Sequence, residues 1–108
     1  MIVEAVAAVA LARVQVVADE WSLVLSRSRL RAGPALVELV NMGEDDHDLR
    51  LRRLASRARA RTTRIATTLP GERGEAETRL APGTYRLWCS LPDHRARGMR
   101  ARLVVTRR

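Results

Sequence analysis

The sequence predicts an antiparallel β-sandwich of about seven or eight strands. Short runs of apolar and β-branched residues recur along the chain, and turn residues such as Pro70-Gly71 separate them. Helical periodicity is weak beyond the N-terminus. With 108 residues and 46% hydrophobic content, the chain is long enough for one modest core. That core must be aliphatic, because only 3% of the residues are aromatic and Phe is absent.

The first half of the chain contains four predicted strands. Arg31-Ala-Gly-Pro34 marks a turn before the third of them, and Asn41-Met-Gly43 ends it. The fourth alternates cleanly, so His47, Leu49 and Leu51 should share an inward face. The predicted strands are residues 13–18, 21–26, 35–40 and 47–52.

The second half contains the remaining predicted strands. Residues 53–61 are rich in Ala and Arg and predict a helical turn or an exposed loop. Pro70-Gly71 and Ala81-Pro-Gly83 are turns. The strands between and after these segments are residues 62–69, 74–80, 84–89 and 99–106. Because no repeat or linker divides the chain, residues 13–108 are predicted to form one domain.

Residues 1–12 form an apolar N-terminal segment, and Ala10-Leu-Ala12 has the form of a signal-peptidase site. The segment carries Glu4 and lacks a basic leader, so it is incomplete as a signal peptide. It is also too short to span a bilayer. We favour the end of a secretory signal over a short element that packs on the domain. An exported protein is expected on this interpretation.

The net charge of the chain gives only weak information about its binding partners. The net charge is +8, and all twenty basic residues are Arg. They are scattered along the chain rather than gathered in one arm, and aromatic residues for base stacking are scarce. We therefore interpret the charge as mostly solvated surface and expect no nucleic-acid partner.

A metal site is predicted from the segment Cys89–Met99. It places a thiol, the His94 imidazole and a thioether at intervals of five residues. A lone cysteine is usually a small buried hydrophobe, but this spacing favours a ligand. Two His, one Cys and a weak axial Met are the ligands of a mononuclear blue-copper site. The only other histidine, His47, lies in a turn-rich segment between two apolar runs. Zinc is possible on ligand type, although Met is a poor zinc ligand.

On these residues the chain resembles the cupredoxins. Ala81-Pro-Gly-Thr-Tyr-Arg-Leu-Trp-Cys89 is similar to the family's Pro-Gly-x-Tyr-x-x-x-Cys strand, and Gly98-Met99 is similar to its Gly-Met pair. The resemblance covers residues 13–106. The Cys-x₄-His-x₄-Met spacing is closer to rusticyanin and sulfocyanin than to plastocyanin.

The resemblance implies a Greek-key sandwich with one type 1 copper ion held by His47, Cys89, His94 and Met99. It also implies a monomeric electron carrier that turns over no substrate and has no membrane span. The implied partners are redox proteins such as a cytochrome or a terminal oxidase. The implied location is extracytoplasmic, in the periplasm or at the cell surface.

Residues around the ligands are expected to tune the site. Cupredoxins usually follow the first His with Asn, whereas this chain has Asp48. We expect Asp48 to accept a hydrogen bond from the Ser90 hydroxyl and, if ionised, to lower the potential. The alternative is an ordinary turn residue that faces water. Asn41 is also expected to support the ligands, and Asp93 stands where relatives often have Gly.

His94 is expected at a surface rim, beside an apolar patch with a basic border. An acidic redox partner and a salt-sensitive association rate would follow from that charge. The alternative is that these Arg residues merely reflect the composition. The apolar residues are Met42, Leu91 and Pro92, and the basic ones are Arg95, Arg97 and Arg100.

Other functions remain open from the sequence. The chain could bind copper for storage or for delivery to an oxidase, or it could be a structural sandwich without a metal. A copper-delivery protein should use exposed ligands, and the full ligand set argues against a purely structural role. A dinuclear copper site needs two cysteines and the chain has one. Multicopper oxidases flank the Cys with His, whereas Trp88 and Ser90 flank it here.

Overall fold

The computed structural model describes residues 11–54 and 60–107, which form nine strands and one short helix. The strands are β1 Ala12–Asp19, β2 Ser22–Leu25, β3 Arg29–Arg31, β4 Gly33–Asn41, β5 His47–Arg53, β6 Thr62–Thr68, β7 Arg73–Leu80, β8 Gly83–Trp88 and β9 Arg100–Thr106, and the helix is α1 His94–Arg97. Residues 1–10 of the predicted N-terminal segment and residues 55–59 of the Ala/Arg-rich stretch lie outside the described residues. Among the described residues, no helix has the length and hydropathy needed to cross a membrane.

The strands form two sheets, which confirms the predicted all-β sandwich. The four-stranded sheet has the order β2-β1-β4-β7, and the five-stranded sheet has the order β3-β9-β8-β5-β6. Two pairings, β1 with β4 and β3 with β9, are parallel. Between β1 and β4 the chain crosses to the other sheet through β3, a three-residue strand with one buried side chain. A strand this short has almost no alternating pattern in the sequence. β3 was therefore not predicted, and the described residues form one strand more than the eight that were.

An aliphatic core fills the space between the sheets. In β1, for example, Val14, Val16 and Ala18 alternate with outward residues. At the β7–β8 corner, the Tyr85 hydroxyl donates a hydrogen bond to the Ala81 carbonyl over 2.9 Å. This bond fixes the turn that starts β8, the strand that leads to Cys89.

Three connections meet at one end of the sandwich. The β1–β2 turn contacts the β4–β5 loop through Glu20, and Trp21 of that turn packs on His94 after β8. In the β4–β5 loop, the Met42 amide donates to the Ala18 carbonyl of β1. The residues predicted to bind a metal lie at this end.

Candidate metal centre

Three predicted ligands converge where the sheets end. The Nδ1 atoms of His47 and His94 are 3.2 Å apart. Cys89 Sγ lies 3.9 Å from His47 Nδ1 and 3.5 Å from His94 Nδ1. Two imidazole nitrogens and one sulfur therefore face a common point, although His47 and Cys89 are 42 residues apart.

A β-bulge in β6 lies opposite His47. From His47 to Leu49 strand β5 advances two residues, whereas the paired residues of β6 advance three, so the extra residue is in β6. His47 and Leu49 therefore keep the regular alternation of β5 and point inward with Leu51, as the pattern predicted. Asp48, which lies between them, is also buried. Bulges are common beside functional sites.

Glu20, which was not predicted as a site residue, contacts the side of the His47 ring that faces away from Cys89 and His94. Its Oε1 lies 3.1 Å from His47 Nε2 and 2.7 Å from the amide nitrogen of Asp45. The Glu44 amide also donates to this carboxylate, at 3.0 Å from Oε1. One side chain of the β1–β2 turn therefore fixes both the loop before His47 and the His47 ring.

The Glu20 carboxylate determines which nitrogen of His47 is free. Hydrogen bonds from the Asp45 amide, the Glu44 amide and the His47 ring lower the pKa of Glu20 to about 2, against the opposing effect of burial. The carboxylate can only accept, so His47 Nε2 carries the proton. The lone pair is then on Nδ1, which faces Cys89 and His94. A carboxylate behind a histidine is the usual way to orient a metal ligand.

Cys89 is fully buried at the end of β8. Burial raises the pKa of its thiol, while backbone hydrogen bonds from Asp48 and Leu91 act in the opposite direction. Its own amide donates to the Met99 carbonyl at 3.1 Å. The sulfur is therefore held between the two segments that carry the other ligands.

Met99 directly precedes β9 and is also fully buried. Its amide donates to the His94 carbonyl at 3.1 Å, so backbone bonds connect it to both Cys89 and His94. Gly98 closes α1 just before it, with φ of 130°. A Cβ at Gly98 would lie 2.7 Å from the carbonyl oxygen of Trp21, so only glycine allows this close approach.

His94 lies at the rim of the site. Its side chain is 13% exposed, whereas that of His47 is 0% exposed. Trp21 packs edge-on against the His94 ring with centroids 4.9 Å apart, and the Arg97 guanidinium covers the Trp21 ring at 4.9 Å. Trp21 was not predicted to be part of the site, because nothing in its spacing in the sequence links it to residues 94–97.

Asp48 joins the two ligand segments. Ser90 donates to it twice, from the hydroxyl to Oδ2 at 2.5 Å and from the amide to Oδ1 at 2.6 Å. Arg50 Nη1 lies 3.3 Å from Oδ2. Asp48 is only 3% exposed, so it is not a turn residue that faces water. The structure thus contains the expected Asp48–Ser90 bond.

Asn41 and Asp93 shape the loops rather than the ligand cluster. The Asn41 amide donates to the carbonyls of Asp45 and Thr68, and its oxygen accepts from the Gly43 amide. It therefore fastens the loop that leads to His47. Asp93 adopts a left-handed conformation with φ of 71°, which explains why glycine suits this position.

The predicted docking residues do not all lie together. Leu91, Pro92 and Arg95 line one shallow cleft beside Cys89. Met42 is 65% exposed on the β4–β5 loop, outside that cleft. The two arginines of α1 diverge: Arg95 lies over Trp88 and Arg97 over Trp21.

Known structures share this architecture. Auracyanin B superposes with a TM-score of 0.70 and 23% identity, over 87% of this chain and 88% of that one. Auracyanin A of Chloroflexus aurantiacus, a "blue" copper protein, gives 0.66 and 17%, over 87% and 98%. A multicopper oxidase from Pseudomonas thermotolerans gives 0.58 and 18%, over 87% of this chain but 29% of that one. No protein-family model and no curated protein sequence matches the chain.

The fold is therefore that of the cupredoxins, the class to which blue-copper proteins belong. Within it, this chain has a His-Cys-His cluster and a buried Met at the end of the sandwich.

Proposed function

We propose that the protein is a mononuclear type 1 copper protein that carries single electrons between redox partners. The observation that supports this function best is the convergence of His47 Nδ1, His94 Nδ1 and Cys89 Sγ within 4.8 Å of one another. Two imidazoles, one thiolate and a thioether from Met99 form the donor set preferred by copper at such sites. Copper bound there would alternate between Cu(I) and Cu(II), and so carry one electron.

The protein's own residues prepare the cluster for a metal. Glu20 keeps the proton of His47 on Nε2, which leaves Nδ1 free to bind. The Cys89 thiol, whose pKa burial raises, must release its proton when the metal binds. Backbone bonds between Cys89, Met99 and His94 hold the donors in place before binding. A site that is already formed needs little rearrangement when its charge changes.

Addition of Cu(II) to the reduced apoprotein tests this proposal. We expect an intense visible band from charge transfer between the Cys89 thiolate and copper, and we expect Cys89→Ser to abolish it. Ser90→Ala is a suitable control, because it removes a neighbouring hydroxyl but no ligand. A colourless complex, or a band that survives Cys89→Ser, would contradict the type 1 assignment.

Storage or delivery of copper is the alternative function. It calls for ligands that exchange readily, whereas Cys89 and Met99 are fully buried. Electron transfer therefore remains the better proposal. Reversible voltammetry with retention of copper through repeated cycles would support a carrier, whereas rapid loss of copper to a chelator would favour delivery.

Partners are proposed to dock beside His94, at the cleft lined by Leu91, Pro92 and Arg95, with Arg97 and the exposed Met42 as further contacts outside that cleft. A basic border favours an acidic redox protein, such as a cytochrome or an oxidase domain, outside the cytoplasm. Electron-transfer rates with an acidic partner should then fall as salt rises. Rates that do not depend on salt would exclude this electrostatic steering.

A further inference from the structure

Arginine covers the outward side of the five-stranded sheet. In its central strands, the register places Arg86 of β8 between Arg52 of β5 and Arg102 of β9. Trp88, two residues further along β8, has Arg50 and Arg100 as its neighbours. Residues two apart share a face, and those between them are core residues, so these side chains point outward. We name this surface the arginine face, and it comprises Arg50, Arg52, Arg86, Trp88, Arg100 and Arg102.

The two edge strands of the five-stranded sheet extend the positive charge of the arginine face. Arg64 of β6 continues the face at one edge, and Arg29 and Arg31 of β3 continue it at the other. The helix adds Arg95, whose guanidinium lies 5.2 Å from the Trp88 ring centroid. Cationic side chains therefore span all five strands.

Negative charge is almost absent from this sheet. In the five described strands that form it, Asp48 is the single acidic residue. It is only 3% exposed, and Ser90 and Arg50 already bind it. Apart from Arg50, the arginines of the face therefore have no carboxylate neighbour in their own strands, so an external anion can bind them.

The other sheet shows that composition alone does not produce this surface. Its outward side carries Glu38 on β4, with Glu75 and Glu77 on the neighbouring β7. Asp19 lies outward on β1. Three arginines share that side, namely Arg13, Arg73 and Arg79. The same Arg-rich chain therefore gives mixed charge on one side and a single sign on the other.

The arginine face also has the chemistry that binds phosphate groups. An open cleft of about 450 Å³ is lined by Ala101 and four arginines: Arg86, Arg95, Arg100 and Arg102. Planar guanidinium groups bind phosphate oxygens through paired hydrogen bonds. A cleft with this lining suits a phosphate ester better than a single carboxylate.

We propose that the arginine face binds a membrane surface that carries anionic phospholipid headgroups. Basic residues near such a surface add up in their attraction to it, without a fixed partner geometry. A protein partner fits less well, because the centre of a protein interface is apolar and depleted of charge. The centre of this face is Arg86 between Arg52 and Arg102.

Nucleic acid also fits the face less well than a membrane. Proteins that read duplex DNA usually insert a helix or a narrow ribbon into a groove, whereas this surface is the broad side of a sheet. Single strands need several aromatic stacking platforms, and Trp88 is the one aromatic side chain on the described face. Its half-buried ring is instead suited to the boundary between headgroups and water.

Vesicle sedimentation with the full chain tests the proposal. We expect binding to vesicles that contain phosphatidylglycerol, none to pure phosphatidylcholine, and release at about 1 M salt, where the screening length is about 3 Å. The double variant Arg52→Glu/Arg102→Glu should weaken binding by at least about 10-fold. The proposal does not depend on copper, so the same measurement applies to the apoprotein and the metal-loaded protein.

The matched control is Arg13→Glu/Arg79→Glu, which changes net charge equally on the other sheet. Denaturant unfolding reports whether each variant is folded, and Arg52→Gln/Arg102→Gln replaces the first variant if it is not. Equal loss in both double variants would overturn the proposal, because net charge alone would then explain binding. Absence of vesicle binding at low salt, or tighter binding of a DNA duplex than of vesicles, would also overturn it.

Discussion

The two histidines of the site are held in different ways. His47 is fully buried, and its Nε2–H donates a hydrogen bond to the Glu20 carboxylate at 3.1 Å. His94 reaches the surface, and its Nε2 is 3.9 Å from the nearest carboxylate oxygen, on Asp45, which is beyond hydrogen-bond distance. Ring packing on Trp21 holds it instead. A polar network inside the protein thus fixes His47, whereas His94 is partly exposed and connects the site to the surface.

The largest expected effect comes from removing each ring in turn. His47→Gly and His94→Gly should both abolish the visible copper band. Added imidazole should restore it in His94→Gly, because that gap opens to solvent, but not in His47→Gly, where the gap is enclosed. Absorption spectra with increasing imidazole measure the difference. Cys89→Ser, which imidazole cannot rescue, is the control, and equal rescue of both glycine variants would show that the two positions are equally accessible.

The next effect tests the network behind His47. Glu20→Gln keeps one acceptor oxygen but loses the charge that binds two backbone amides and the ring. We expect copper affinity to fall by about 10- to 100-fold, as for other groups that orient metal ligands. Competition with a chelator measures it. Glu44→Gln, an exposed carboxylate in the loop that Glu20 holds, is the matched control. If both variants lose the same affinity, overall charge explains the effect and the specific contact does not.

The packing that holds His94 gives a smaller effect. Gly98→Ala would bring a Cβ within 2.7 Å of the Trp21 carbonyl, whereas a Cβ at Gly71 would meet nothing within 4 Å. Both glycines have positive φ, so both substitutions introduce backbone strain. We expect Gly98→Ala to lower the free energy of unfolding by about 1–2 kcal/mol more than Gly71→Ala does. Denaturant titration of both variants tests this, and equal losses would mean that Trp21 moves aside at no cost.

The difference between the histidines also marks the limit of sequence reasoning. The cluster of His47, Cys89 and His94 was predictable, because the chain has two histidines and one cysteine and two of these share a short segment. Glu20 was not predictable, because it is one of twelve acidic residues and nothing in its position marks it as the partner of His47, 27 residues away. Whether the β1–β2 turn meets the β4–β5 loop depends on how the strands pair, and here β1 pairs with β4 in parallel.

Alternation of apolar and polar residues in the sequence predicted the buried residues correctly in strands where burial alternates, and it failed to do so elsewhere. The β5 alternation correctly placed His47, Leu49 and Leu51 inward. The burial of Asp48 was not predictable from this alternation, because it depends on contact with Ser90, which follows another strand. Similarly, β3 was missed because Leu30 is its one buried residue. The bond between Asp48 and Ser90 was expected only through the resemblance to cupredoxins.

The smallest expected effect concerns Asp48, which connects the segments of the two histidines. An ionised carboxylate close to the copper favours Cu(II), so Asp48→Asn should raise the reduction potential. Arg50, 3.3 Å from Oδ2, already offsets much of this charge. We therefore expect a rise of about 30 mV or less, half of the 59 mV that corresponds to a tenfold change for one electron. Voltammetry of Asp48→Asn beside Asp46→Asn, an exposed neighbour, measures it. An unchanged potential would leave Asp48 with a purely structural role, in which it ties Ser90 to the strand that carries His47.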